Sequence, residues 1–400
     1  MLVRGDGPIG FGEDGRVYRC GAGVAGGDSL AQAAESAIAQ ALAALGDRSA
    51  DLLCVFLADE PGPVGDVLAA AGLAGTAVVG AGVRGVLGPA GQTESVAVRR
   101  APVASAWAVA GDEVSIRVFH LETMRTGDSL AVLGQPPTGD DAAAMLLLPD
   151  PWTFPVDGFV AQVSGSWPGL PVIGGLAAGS AAGAARLAVG GKVADRGAVG
   201  AILGGDVSVE PVVGQGCRPI GPALAVTAGD GGRISEIAGR PAPEVLRECL
   251  AEEGGRPFLG IADVEQREEH AFGGFVLRSI VGVDDGGLIV NDSLPVGSTV
   301  RFHVLDADVA EADLCSLLWE VRRRPWVGDL AGALVVSGSE RDEALFSESG
   351  HDARLVCEQW GTDAVAGFVT DGPIGPTLGG NYVHTAAATV LGVGAGSQPA

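Results

Sequence analysis

Apolar and polar positions alternate in two rhythms along the first hundred residues. Between about 29 and 45, Leu30, Ala33, Ala34, Ala37, Ile38, Ala41 and Leu45 recur at the spacing of one helical face. Ser29 and Gln32 stand at capping-box spacing ahead of them, and Gly46-Asp47 closes the run. Leu52–Leu57 is a continuous apolar stretch of strand length, stopped by Asp59-Glu60-Pro61-Gly62. A second helix at about Val64–Ala71 leads to a strand at Thr76–Val79, and Val17–Cys20 reads as a short strand before the first helix. The order β-α-β-α-β predicts a sheet covered by helices.

The rhythm then shortens to a period of two. Ser95–Arg99, Val103–Val109 and Glu113–His120 alternate as strands between glycines and prolines, and Pro149-Asp150-Pro151 marks a break. Ala77–Gly85 and Pro171–Gly179 are both apolar strands running into glycine turns, which points to an internal duplication of the first domain. A second domain is read from about 226. It opens with a helix at Pro243–Ala251 and a three-stranded meander at Phe275–Val283, Leu288–Asn291 and Ser298–Leu305, followed by a capped helix at about 309–323. It closes with the strand Gly332–Ser337, the helix His351–Trp360, the strand Val365–Asp371, a loop at Gly372–Asn381 and the strand Thr385–Val393. The expected fold is therefore mixed α/β in two domains, each a strand-rich layered sheet covered by helices. The boundaries are a flexible N-terminal segment at 1–24, a first domain at 25–225 and a second at 226–395.

Composition narrows the function. Apolar residues make up 47% of the 400 positions and charged residues 18%, enough to build packed cores and too apolar for a disordered chain. The net charge is −24 and Lys192 is the only lysine, so an extended nucleic-acid footprint or a lysine-rich membrane patch is not expected. No apolar run reaches the ~20 residues of a membrane helix. The opening Met1–Asp6 shows no export signal, so a cytoplasmic location is expected, with the six scattered cysteines as thiols.

Candidate chemistry is sparse. Gly21–Gly26 and Gly80–Gly85 match G-x-G-x-x-G. The first follows too short a strand and lacks a ribose-binding acid at the right distance; the second runs into Pro89 where a helix should begin. Cys217, between Gly216 and Arg218, is the one plausible nucleophile, and a small residue filling a crowded turn is the competing explanation. The five histidines lie too far apart for a metal-ligand motif. No catalytic or metal-binding residue is assigned. His351-Asp352 opens a helix, where the dipole alone accounts for the aspartate. His384, near Asn381 after a glycine loop, is the histidine expected to face a pocket.

With these segments in view, the chain resembles the FIST family, through both its N and C modules. The resemblance runs over about 25–393. Its carriers in the first half are Leu52–Leu57, Val78-Val79-Gly80, Ile173-Gly174-Gly175, Gly197–Gly200 and, most specifically, Gln215–Gly221. In the second half they are Ile237–Pro241, the 275–305 meander, His351-Asp352, Ala366-Gly367-Phe368 and Gly372–His384. The resemblance implies a sensory protein in signal transduction that binds a small ligand, an amino acid among the candidates, and passes its state to a signalling partner. Some relatives are haem proteins, so a haem gas sensor with His384 or His351 as axial ligand is an alternative, as is a Cys/His enzyme; no cofactor is expected on the leading reading. Two loops depart from the family pattern, Ser337–Arg341 and Gly372–Pro376. The expected pocket gathers Gly80–Gly85, Gly214–Arg218 and Gly372–His384, with Arg84, Gln215, Cys217, Arg218, Asn381 and His384 as ligand-binding residues.

Overall fold

The computed structural model describes residues 9–11, 17–58, 64–72, 75–89, 93–95, 102–127, 129–136, 139, 141–178, 186–251, 253, 255–262, 275–290, 292–324, 330–341 and 343–394. The chain forms two compact units: one from 1–214, 314–383 and 387–400, the other from 215–313 with 384–386. The second unit is thus inserted into the sequence of the first, a different division from a single break at 225/226.

One strand–helix module builds the first unit three times over. Each copy has an opening strand, a second strand, a helix, a third strand, a short hairpin and a closing strand. The opening strands are Val17–Gly26, Val114–Thr126 and Ser208–Gly214; the second strands are Leu52–Ala58, Ala142–Pro149 and Leu330–Gly338. The crossover helices are Val64–Ala70, Val156–Ser166 and His351–Trp360, leading to third strands Ala77–Gly82, Val172–Gly175 and Val365–Thr370. The closing strands are Val103–Gly111, Ala198–Gly205 and Ala388–Gly394. In all three sheets the order is opening, closing, second, third, with only the second and third strands parallel. The two segments that read as a duplication, 77–85 and 171–179, contain the third strands of copies one and two. The third copy escaped the sequence pattern because the whole second unit interrupts it after Gly214.

The copies are laced together by their hairpins. The hairpin strand Gly85–Leu87 of copy one pairs with the third strand of copy three, Leu187–Val189 of copy two pairs with copy one, and Pro373–Thr377 of copy three pairs with copy two. The last of these, with its partner Gly380–Val383, occupies most of the segment expected as a loop at 372–381. Each sheet turns its inner face to one shared apolar core, in which Phe56 and Phe368 meet at 4.5 Å between ring centroids. Helices cover each outer face. Leu30–Ala43 and Val64–Ala70 lie on the first sheet, Val156–Ser166 on the second, and the 314–322 part of the helix Ala307–Arg322 with His351–Trp360 on the third.

Glycine explains how closely these layers approach. Gly21 and Gly23 lie inside the ten-residue strand Val17–Gly26, where a Cβ would stand 1.9 Å from the Ala41 carbonyl and 2.1 Å from the Ala37 carbonyl of the covering helix. The first glycine string is therefore a helix-packing surface, and it carries residues 17–24 of the expected N-terminal segment into the sheet.

The second unit is a closed antiparallel barrel. Its strands run in the order Cys217–Asp230, Thr299–Leu305, Pro257–Ala262, Phe275–Asp284, Gly287–Val290 and Arg233–Ile237, and the first pairs with the last. The interior is filled by residues such as Ile220, Ile234, Leu259, Leu288 and Phe302. The expected meander holds for its first two strands only. Thr299–Leu305 pairs with Pro257–Ala262 and Cys217–Asp230, because the outer edge of Gly287–Val290 is taken by Arg233–Ile237.

Candidate functional site

The carboxyl ends of the three third strands meet, and their hydrogen bonds cross from copy to copy. Ala178 N–H donates to the Gly82 carbonyl at 2.9 Å, Arg84 N–H to the Val369 carbonyl at 3.3 Å, and Leu176 N–H to the Gly372 carbonyl at 3.0 Å. The Thr370 hydroxyl adds a bond to the Leu176 carbonyl at 2.7 Å. In open α/β sheets, ligands bind outside strand carboxyl ends, where neighbouring loops diverge. Here three such ends share one place.

Charge is concentrated at this junction. Arg84 Nε donates to Asp371 Oδ2 at 2.5 Å, and the Ser339 hydroxyl donates to the other carboxylate oxygen at 2.7 Å. Arg84 and Asp371 are 57% and 49% exposed, so the pair sits at the surface and contributes little to stability. Its groups are therefore accessible to a solute.

Beneath Ser339 the loop is locked from inside. Arg341 bonds Asp352 through Nε at 2.9 Å and Nη2 at 2.8 Å, with both side chains at most 1% exposed. The Ser337 hydroxyl donates to the same carboxylate at 2.6 Å. Burial alone pushes the Asp352 carboxyl up. The Arg341 charge and hydrogen bonds from His351, Arg341 and Ser337 outweigh it and hold the group well below the usual carboxylate range. The helix dipole was sufficient reason for Asp352 on sequence grounds; the structure makes it the anchor of the 337–341 loop. His351 is buried and stacks on Phe346 at 3.7 Å, its Nδ1 3.6 Å from Asp352 and its Nε2 3.9 Å from Glu348, so both ring nitrogens face carboxylates.

The other expected ligand-binding residues are distributed elsewhere. Asn381 lies beside Val172, at the amino end of the third strand of copy two. Its amide accepts from Val172 N–H at 2.8 Å and donates to Ser164 Oγ and the Leu170 carbonyl, pinning the hairpin to the helix Val156–Ser166. It lines a cavity of about 280 Å³ with Pro171, Pro211 and Pro376. Gln215, Cys217, Arg218 and His384 belong to the second unit. The backbone N–H groups of Gln215 and Gly216 donate to Asp313. Arg218 pairs with Glu253 at 2.7 Å and Asp306 at 3.5 Å, and these carboxylates raise its own pKa. None of the six cysteines forms a disulfide. His384 and His303 are both buried. Among the described residues, no group of three His, Cys, Asp or Glu side chains could hold a metal ion, and no helix is long and apolar enough to cross a membrane.

The threefold repeat, its junction and the inserted barrel define a mixed α/β protein of two units. The family model for the FIST N domain matches residues 51–240 and that for the FIST C domain matches 242–376; the chain belongs to the FIST family. FIST domains are associated with sensory roles in signal transduction. The chain is 35% identical over 296 residues to an uncharacterized protein of Mycobacterium bovis, covering 71% of this chain and 75% of that one. It is 33% identical over 340 residues to an uncharacterized protein of Mycobacterium tuberculosis, covering 80% and 84%. Structures of PurLQS and of PurL with ATP from Thermotoga maritima are each 12% identical, covering 99% and 98% of this chain and 76% and 74% of theirs. Their TM-scores are 0.26 and 0.25, too low to bear on fold or function.

Proposed function

We propose that this chain is an intracellular sensory protein that binds a small zwitterionic ligand at the three-way junction and reports its presence to a signalling partner. The observation that carries this reading is the exposed Arg84–Asp371 pair, held by Ser339 where all three copies meet. A ligand with a carboxylate and an ammonium, such as an amino acid, can exchange one ion pair for two: its carboxylate takes the Arg84 guanidinium and its ammonium takes Asp371. The exchange is inexpensive because an exposed ion pair is worth about 0–1 kcal/mol. Binding rather than turnover accords with the sensory roles associated with FIST domains. A thermal-shift panel of amino acids, nucleotides and haem, repeated on Arg84→Ala and Asp371→Asn, tests the proposal. The expected hit is an amino acid whose shift disappears in both variants; a hit unaffected by either moves the site elsewhere.

A further inference from the structure

A groove of about 510 Å³ runs between the helices Leu30–Ala43 and Val64–Ala70 on the outside of the first sheet. Its floor is Ala34, Val67 and Ala71, and Ala31, Ile38 and Leu42 line the longer helix's side. From Ala31 to Leu42 is eleven steps at about 1.5 Å, roughly 16 Å or three helical turns. The two ionic residues lining it are Glu35 on one helix and Asp66 on the other, both exposed, and no lining residue is basic.

We infer that this groove receives one amphipathic helix of a partner protein, its apolar face on the alanine floor and its lysine or arginine flanks against Glu35 and Asp66. Helices enter apolar grooves of this kind through residues at i, i+4 and i+7, and the small side chains of the floor permit close approach. The sign of the partner follows from the rim and from the net charge of −24, which attracts cationic segments over distance. A second copy of this chain would set carboxylate against carboxylate across the same groove, and like charges disfavour that pairing. The groove is separate from the ligand junction, so either can fail without the other.

The test uses synthetic helical peptides of about fourteen residues, the length that fills three to four turns, titrated into the full chain and followed by fluorescence anisotropy. A peptide with a leucine face and lysine flanks should bind saturably; one with serine in place of the leucines should not. Glu35→Lys/Asp66→Lys changes only exposed positions and should weaken the lysine peptide by about tenfold or more while admitting a glutamate-flanked peptide. Equal binding of the lysine peptide to protein and double variant, or no binding at all, overturns the inference. So does a dimer in sedimentation that Ala39→Arg dissolves, which would assign the groove to a second copy.

Discussion

Arg84 and Asp371 are 287 positions apart in sequence, yet Arg84 Nε lies 2.5 Å from Asp371 Oδ2. The contact exists because copy one lends its hairpin to copy three, which brings the turn at Arg84 against the strand end at Asp371. Both groups stay about half exposed. Their pairing should matter little to folding: Arg84→Ala should lower unfolding free energy by no more than about 1 kcal/mol, measured by urea denaturation. A larger loss would make the pair a structural clamp.

The buried pair behaves oppositely. Removing one partner strands a charge in the interior, so Asp352→Ala should cost about 3–5 kcal/mol, and Arg341→Met a similar amount. The double variant should recover part of that loss, because no uncompensated charge remains. Unfolding curves of the three variants measure it, and additive losses would contradict the account.

His303 should make stability fall in mild acid. Burial lowers its pKa from 6.5 to about 4, so below pH 6.5 the unfolded chain takes up a proton that the folded barrel refuses. Its contribution is intact above about pH 6.5 and is lost progressively as pH falls toward 4, amounting to roughly 3 kcal/mol at the limit. The slope of urea midpoint against pH should flatten over that window in His303→Gln. An unchanged slope would assign the acid sensitivity to other groups.

Three glycines hold matching places in the three copies. A Cβ at Gly80, Gly174 or Gly367 would meet the carbonyl of its second-strand partner, Val55, Leu147 or Val335, at 2.7, 1.9 or 1.7 Å. Gly174→Ala and Gly367→Ala should each destabilise by about 1–3 kcal/mol or more, the ordinary cost of overpacking, with Gly80→Ala the mildest. Thermal melts would rank them, and Gly80→Ala as the most harmful would break the equivalence.

Much of the fold was legible because each crossover obeys local rules. The helix over 351–360 and the strands around 52–58, 330–338 and 365–370 follow from apolar periodicity and capping, which are short-range signals. The glycine runs were harder. Gly21–Gly26 has the spacing of a nucleotide fingerprint and Gly80–Gly85 reads as a turn, whereas Gly21, Gly23 and Gly80 are strand positions cleared for a close neighbour. Of the side chains at the proposed junction, Arg84 is the one named from the sequence. Its partner Asp371 and the Arg341–Asp352 anchor depend on strand exchange and on a helix docking over a loop, and neither leaves a sequence period. Asn381 is expected from the sequence as a ligand-binding residue after a glycine loop. Its hydrogen bonds serve packing.

If the junction binds a zwitterion through opposite charges, isothermal titration of amino acids into the full chain, Arg84→Ala and Asp371→Asn will show it. The full chain should take one ligand saturably at a single site, binding should be lost in both variants, and the α-carboxyl-amidated and N-acetylated forms of that ligand should each fail to bind. Retained affinity in either variant, or for either blocked form, would contradict it.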